Sequence, residues 1–148
     1  MHPEFVFTTA QTPKHLKQVL QLRQEIFVDE QEIPIELEMD GLDDKSIHAI
    51  ALKDDMVVAT GRLTLEGKEG VISRIAVSSE FRRSGLGRSI MQYLEEQARQ
   101  LQLHELKLKP HNYLQPFYQS LGYSLLGDHH DIVGKHELIT MHKLLTTS

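Results

Sequence analysis

Near residue 78 the hydrophobic period of this chain switches from that of a strand to that of a helix, and this junction limits the possible folds more than any other feature. Val71-Ile72-Ser73-Arg74-Ile75-Ala76-Val77 is a β-branched run bounded before by Gly67-Lys68-Glu69-Gly70. Further on, Leu86, Ile90, Leu94, Ala98 and Leu101 fall on one face of a helix. Arg88, Gln92, Glu95, Glu96 and Arg99 take the other face, with Glu95 and Arg99 placed for an i,i+4 pair. Between the two elements stands Arg82-Arg83-Ser84-Gly85-Leu86-Gly87-Arg88. A helix N-terminus has unpaired N–H groups and a positive dipole end, and both favour an anion. Gly85 and Gly87 let the backbone approach a phosphate that a Cβ would hold off, and Arg82, Arg83 and Arg88 add charge. The chain as a whole is acidic, with 16 basic against 21 acidic residues, so this cluster is a local reversal of sign that suits a pyrophosphate. The same residues also fit a glycine-relieved turn with a solvated basic face. Two other phosphate loops are excluded. No Gly-Lys-Ser/Thr follows the glycines, and Ile90 stands where the dinucleotide fingerprint needs a small residue.

The other elements can be placed around this junction. Phe5 to Thr8 is a short strand, and Thr12-Pro13 opens a helix over about 13–23. A second short helix is expected to end before Pro34. Ile47–Leu52 and Met56–Leu65 are strands joined at Asp54-Asp55. Leu106 to Lys109 alternates as a strand stopped by Pro110. Leu114, Phe117, Tyr118 and Leu121 mark a short helix, with Asn112 as its expected cap and Gly122 after it. Tyr123–Leu126 and Glu137–Leu144 are the closing strands. The order β-α-α-β-β-β-α-β-α-β-β, without linker or repeat, predicts one α/β (α+β) domain over 1–148. Its sheet is expected to be mixed and flanked by helices.

Composition removes several classes of function. A net charge of −5 argues against a groove-tracking nucleic-acid binder, and the lack of tryptophan leaves few stacking platforms. With no cysteine there is no disulfide, thiolate metal site or cysteine nucleophile. No apolar run approaches the ~20 residues that span a bilayer, and Met1-His2-Pro3-Glu4-Phe5 lacks the pattern of a secretory signal. The expectation is a cytoplasmic protein without membrane or nucleic-acid partners. His129-His130-Asp131 with His136 has no regular ligand spacing, so no metal is expected.

Strand, Arg-x-x-Gly-x-Gly and helix together resemble motif A of the GNAT superfamily of acyl-CoA-dependent N-acetyltransferases, here Ile75 through Ser89. Asn112 through Tyr123 resembles the second block of that family. Phe27-Val28-Asp29-Glu30-Gln31 followed by Ile33-Pro34 is similar to a bacterial subgroup of small GNAT proteins. The resemblance covers nearly the whole chain and implies a largely antiparallel GNAT sheet. Pro116 departs from the usual small helix former, in the first turn, where a lost N–H costs least.

The resemblance implies acetyl-CoA as acyl donor, without a metal. Backbone groups of Ile75, Ala76 and Val77 would pair with the pantetheine amides, and the amides of Arg83, Ser84, Gly85, Leu86, Gly87 and Arg88 would hold the pyrophosphate. Asn112 would bind the pantetheine arm. A backbone N–H near Val77 would stabilise the oxyanion while a neutral amine attacks, with Tyr118 as general acid to the thiolate. By spacing alone Tyr118 shares an apolar face with Leu114 and Phe117 and reads as core. The base is not identified. Glu25 and Glu30 lie on the helix expected to border the acceptor cleft, and His111 and His136 are further candidates because an unperturbed imidazole titrates near neutrality. The resemblance favours His136, since the subgroup has a histidine before the last strand.

Eight carboxylates between Asp29 and Asp44 read either as a wall that attracts a cationic amine or as a solvated, mobile loop, the latter being the commoner meaning of a charge run. The implied acceptor is a small-molecule or peptidic amine. A non-catalytic CoA-binding module, and a transferase for another acyl group or an alcohol, use the same fold. No apolar stripe is free of a core role, so a homodimer stays open.

Overall fold

A computed structural model describes residues 4–145 of the chain, and the side chains of Asp128 and His129 lie outside what it describes. The sequence-derived order of elements holds throughout. Strands β1 (Val6–Thr9), β2 (Ser46–Lys53), β3 (Met56–Glu66), β4 (Glu69–Val77), β5 (Glu105–Leu108), β6 (Ser124–Val133) and β7 (His136–Leu144) form one sheet in the order β1-β2-β3-β4-β5-β7-β6. Every neighbouring pair is antiparallel except β4 and β5, which run parallel through the crossover helix α3 (Leu86–Gln100).

The two faces of the sheet are covered by different helices. On one, Ile90, Met91, Leu94 and Ala98 of α3 bury against Leu63, Ile72, Leu106 and Met141. On the other, Val19, Leu22 and Ile26 pack on Ile50, Val57 and Ala76. The first two belong to α1 (Pro13–Arg23), whose N-cap Thr12 accepts the His15 N–H at 3.2 Å and whose first turn contains Pro13. Alternation along the strands leaves Arg62, Thr64, Val71, Ser73, Lys107 and Thr140 on the α1 side, beyond the reach of that helix.

Four local expectations need correction. The second helix does not stand apart and end before Pro34. The chain runs straight from α1 into π-helical turns over Gln24–Glu30, closed by Gln31 N–H donating to Ile26 C=O at 3.0 Å. Pro34 instead opens α2 (Ile35–Glu38), where its fixed φ suits the helix start. Asn112 does not cap helix α4 (Gln115–Ser120). It begins a 3₁₀ turn over Asn112–Leu114, and Leu114 holds the cap position with no side-chain bond. Glu95 does not pair with Arg99. It is buried and accepts the Tyr123 hydroxyl at 2.8 Å, with Lys143 Nζ at 3.4 Å. Finally β6 runs well past Leu126, to Val133, through an irregularity between Leu125 and His130 that contains Gly127 at φ +73.

The acidic run is not a loose solvated loop. Glu38 meets Arg23 at 2.6 Å, Asp43 meets Arg23 and Arg62 at 2.8 and 2.9 Å, and Asp40 meets Arg62 at 2.7 Å. Arg74 adds bonds to the Glu38 carbonyl and to Asp40. Arg23 and Arg62 are almost wholly buried, so these carboxylates neutralise charges that could not otherwise be removed from water. Three arginines, from α1, β3 and β4, pin the segment against the sheet.

Candidate active site

Strands β4 and β5 pair only from Glu69–Glu105 to Ile72–Leu108. Beyond Ile72 they part, and β4 continues alone on that edge to Val77. The ladder with β3 is interrupted where Arg62 opposes Ser73 and Thr60 opposes Ala76, so Arg74 and Ile75 together face Gly61. This is a β-bulge with Arg74 in the left-handed region at φ +59. A Cβ on Gly61 would lie 2.6 Å from Ile75 Cδ1 and 2.7 Å from Ile90 Cγ2, so only glycine lets the bulge and α3 meet there. Past the bulge, Ser78 N–H donates to Val58 C=O at 2.8 Å. The alternation of an antiparallel ladder therefore turns the Val77 amide to the opposite edge, into the opening between β4 and β5.

The glycine-arginine loop follows β4 in the chain, after a 3₁₀ turn over Ser79–Phe81. Gly85 takes φ +83 at the N-cap of α3, and no side chain caps the helix. A Cβ on Gly87 would meet no atom within 4 Å. The first-turn amides thus border open space, as a phosphate cradle requires. Ser84 contributes less than expected, because its N–H already donates to Phe81 C=O at 3.2 Å. The three arginines are used differently. Arg82 pairs with Glu30 at 2.8 Å, and Arg88 donates to Ser120 Oγ at 3.0 Å, tying α3 to α4. Among the described residues Arg83 has no ion-pair partner, which leaves its charge for an anion.

A cleft of about 750 Å³ continues from the opening across the uncovered half of the sheet. Ile75, Tyr118, His111, Gln31, Arg74 and Leu138 are among its walls. Tyr118 is 6% exposed, and its ring packs edge-on against Phe117 and Tyr123. Burial pushes its phenol up to about 12, so it keeps its proton at neutral pH. It makes no hydrogen bond within the described residues. Packing and a cleft-facing position are thus combined in one residue. Tyr123, by contrast, spends its hydroxyl on Glu95.

The candidate bases separate. The Arg82 guanidinium holds the exposed Glu30 carboxylate below its usual range, which weakens it as a base. Glu25 lines a separate cavity of about 470 Å³ beside α1. His111 and His136 come together, Nε2 to Nδ1 at 3.0 Å, although 25 residues apart in sequence. Only His111 of the two lines the cleft. Asn112 is exposed and outside the cleft lining.

Sequence reasoning missed Gln31, whose Oε1 is buried without a hydrogen-bond partner at the cleft wall, and the Arg74 bulge. Both follow from long-range pairing and leave no local signal. No group of three or more His, Cys, Asp or Glu suited to a metal occurs among the described residues. Among them, no helix is long and apolar enough to cross a membrane.

The model of the GNAT acetyltransferase family matches residues 16–123, from α1 to the end of α4 and the parted strands between. The chain belongs to this family. It is 32% identical over 119 residues to the uncharacterized N-acetyltransferase YjcF of Bacillus subtilis strain 168, covering 80% of this chain and 85% of that one. A solved acyl-CoA N-acyltransferase from Pseudomonas aeruginosa superposes with TM-score 0.84 at 30% identity, over 94% of this chain and 99% of its own. ElaA from Escherichia coli superposes with TM-score 0.82 at 27% identity, over 95% and 98%. This GNAT protein therefore shares its fold with ElaA and with a solved protein whose name states an acyl-CoA N-acyltransferase.

Proposed function

We propose that this protein transfers an acetyl group from acetyl-CoA to a primary amine. The observation that carries the reading is the continuity of the parted β4 edge with the uncapped N-terminus of α3. An extended arm on Ile75–Val77 leads directly to a glycine-lined anion cradle. The amides of Gly85, Leu86, Gly87 and Arg88, with the Arg83 charge, hold the pyrophosphate. Acetyl-CoA supplies the activated carbonyl. The Val77 N–H is turned into the opening, where it accommodates negative charge on the carbonyl oxygen, an effect worth about 3–4 kcal/mol per donor elsewhere. Tyr118, protonated at neutral pH, gives its proton to the departing sulfur.

Gly87→Leu separates this reading from a structural one, since its side chain enters open space in the fold and occupies the cradle. Calorimetric titration with acetyl-CoA is expected to show at least tenfold weaker binding by a folded variant. Unchanged affinity would place the pyrophosphate elsewhere. Tight binding by the native protein, with no thiol released by any amine, would favour a CoA-binding module instead.

A further inference from the structure

Three acceptor groups converge where the π-helical turns meet the start of β7. Gln31 ends the π segment, and its backbone carbonyl stands 2.7 Å from His136 Nε2. A carbonyl only accepts, so His136 carries a proton on Nε2, and in the neutral ring Nδ1 offers a lone pair. His136 Nδ1 is 3.0 Å from His111 Nε2, so beside a neutral His136 the donor there is His111. The lone pair of His111 is then on Nδ1, which has no hydrogen-bond partner among the described residues. Gln31 and His111 both line the cleft, while the Gln31 side-chain Oε1 is buried and has no hydrogen-bond partner among the described residues.

We infer that His111 is the proton acceptor of the transferase reaction and that His136 and the Gln31 carbonyl position it. The inference rests on the acetyl-transfer reading and names the base for its amine acceptor. An ammonium gives one proton to His111 Nδ1, and the Nε2 proton can pass to His136 Nδ1, whose cationic form keeps its bond to the Gln31 carbonyl. The freed nitrogen lone pair forms the N–C bond as the C–S bond breaks. Tyr118 protonates the sulfur, and the second nitrogen proton, released as the amide forms, replaces the one Tyr118 gave.

Burial holds His111 below the usual imidazole range, and a charge on His136 would lower it further, so it is neutral and able to accept at pH 7. The charged groups on the packed elements around the pair neutralise one another. Glu32 meets Lys135 at 2.9 Å beside the Gln31–His136 contact, and Lys109 meets Asp131 at 3.3 Å between β5 and β6.

Two measurements on the full chain test this. Nitrogen-15 NMR of the ligand-free protein is expected to show His111 neutral at pH 7 with its proton on Nε2. A proton on Nδ1, or a cationic ring at that pH, would overturn the assignment. Thiol release from acetyl-CoA is then followed with benzylamine, ethanolamine, spermidine and benzyl alcohol as probes. Turnover is expected with at least one amine and not with the alcohol. His111→Gln should lower kcat about 100-fold with acetyl-CoA affinity unchanged. His136→Phe should lower kcat and move the acid limb of the pH profile upward, which a purely structural role would not do. A His111→Gln variant with native kcat would refute the inference, whereas equal use of benzyl alcohol would overturn the amine acceptor of the transferase reading. If no probe reacts, the tautomer decides, since a His111 protonated on Nδ1 cannot accept a proton there. Failure of the native protein to bind acetyl-CoA would strike the transferase reading instead and leave the tautomer result standing.

Discussion

A Cβ built on Gly87 meets nothing within 4 Å, whereas one on Gly61 would press on Ile75 and Ile90 at under 3 Å. Gly41, Gly67, Gly127 and Gly134 are equally open, so what sets Gly87 apart is its place in the first turn of α3. Leu is a better helix former than Gly, so Gly87→Leu should hold or raise stability by about 0.5–1 kcal/mol while losing acetyl-CoA. Denaturant unfolding alongside calorimetry checks both halves. Tyr118 makes a second prediction at this scale. Its phenol is held near 12, and the protonated form is the donor, so the acid should not titrate away below about pH 11. Tyr118→Phe should lower kcat on the order of 10²-fold with little change in acetyl-CoA affinity. Native-level kcat in the variant would assign Tyr118 to packing alone. Residues of the glycine-arginine loop were legible in the sequence because their chemistry is local to seven positions. The His111–His136 contact was not, because it depends on β7 folding back beside the turn after β5.

The elements were read well wherever a period ran uninterrupted, as in α1, α3 and the meander β2-β3-β4. They were misread where the backbone departs from a regular period. The π-helical turns keep their residues near helical spacing, so nothing in the side chains announces the wider turn. It is closed by tertiary packing, and it brings the Gln31 carbonyl to His136. The β4 bulge is equally silent in β4 itself; its clearest trace lies across the ladder, in Gly61. Gly61→Ala should therefore act on two elements together, forcing Ile75 and Ile90 apart. Overpacking of this kind costs about 1–3 kcal/mol. Denaturant unfolding should register that loss, together with weaker acetyl-CoA binding as the Ile75–Val77 edge shifts. A variant as stable as the native protein would show that the bulge and α3 yield without strain.

Across the whole molecule, the segment that follows α1 is joined to the sheet by charge more than by apolar packing. Leu37 and Met39 remain exposed, while Arg23, Arg62 and Glu38 are buried and Asp40 and Asp43 meet the arginines from partly exposed positions. From sequence alone these acids were a run without partners, since Arg23, Arg62 and Arg74 come from three separate elements. The Arg62 guanidinium lowers Asp40 from 3.8 to about 2. A folded-state pKa below the unfolded one gives stability that is present above about pH 4 and lost as pH falls towards 2. Asp40 is exposed, so solvent screening cuts the linked contribution to about 1 kcal/mol or less. Acid titration of unfolding should show this loss in the native protein, and Asp40→Asn should flatten it. Arg62→Ala empties a buried position and unpairs carboxylates that water still reaches, and should cost about 1–3 kcal/mol.

The proposed recognition of acetyl-CoA by the parted β4 edge and the α3 cradle is a property of the intact chain. Thermal unfolding with acetyl-CoA, CoA and NAD, each in turn, tests it most directly. A ligand at 100 times its Kd stabilises the native state by about 2.7 kcal/mol, a rise of several degrees in Tm for a chain of this size. The prediction is a rise with acetyl-CoA and CoA, none with NAD, and none with any of the three in Gly87→Leu. No shift with millimolar acetyl-CoA, or an equal shift with NAD, would contradict it.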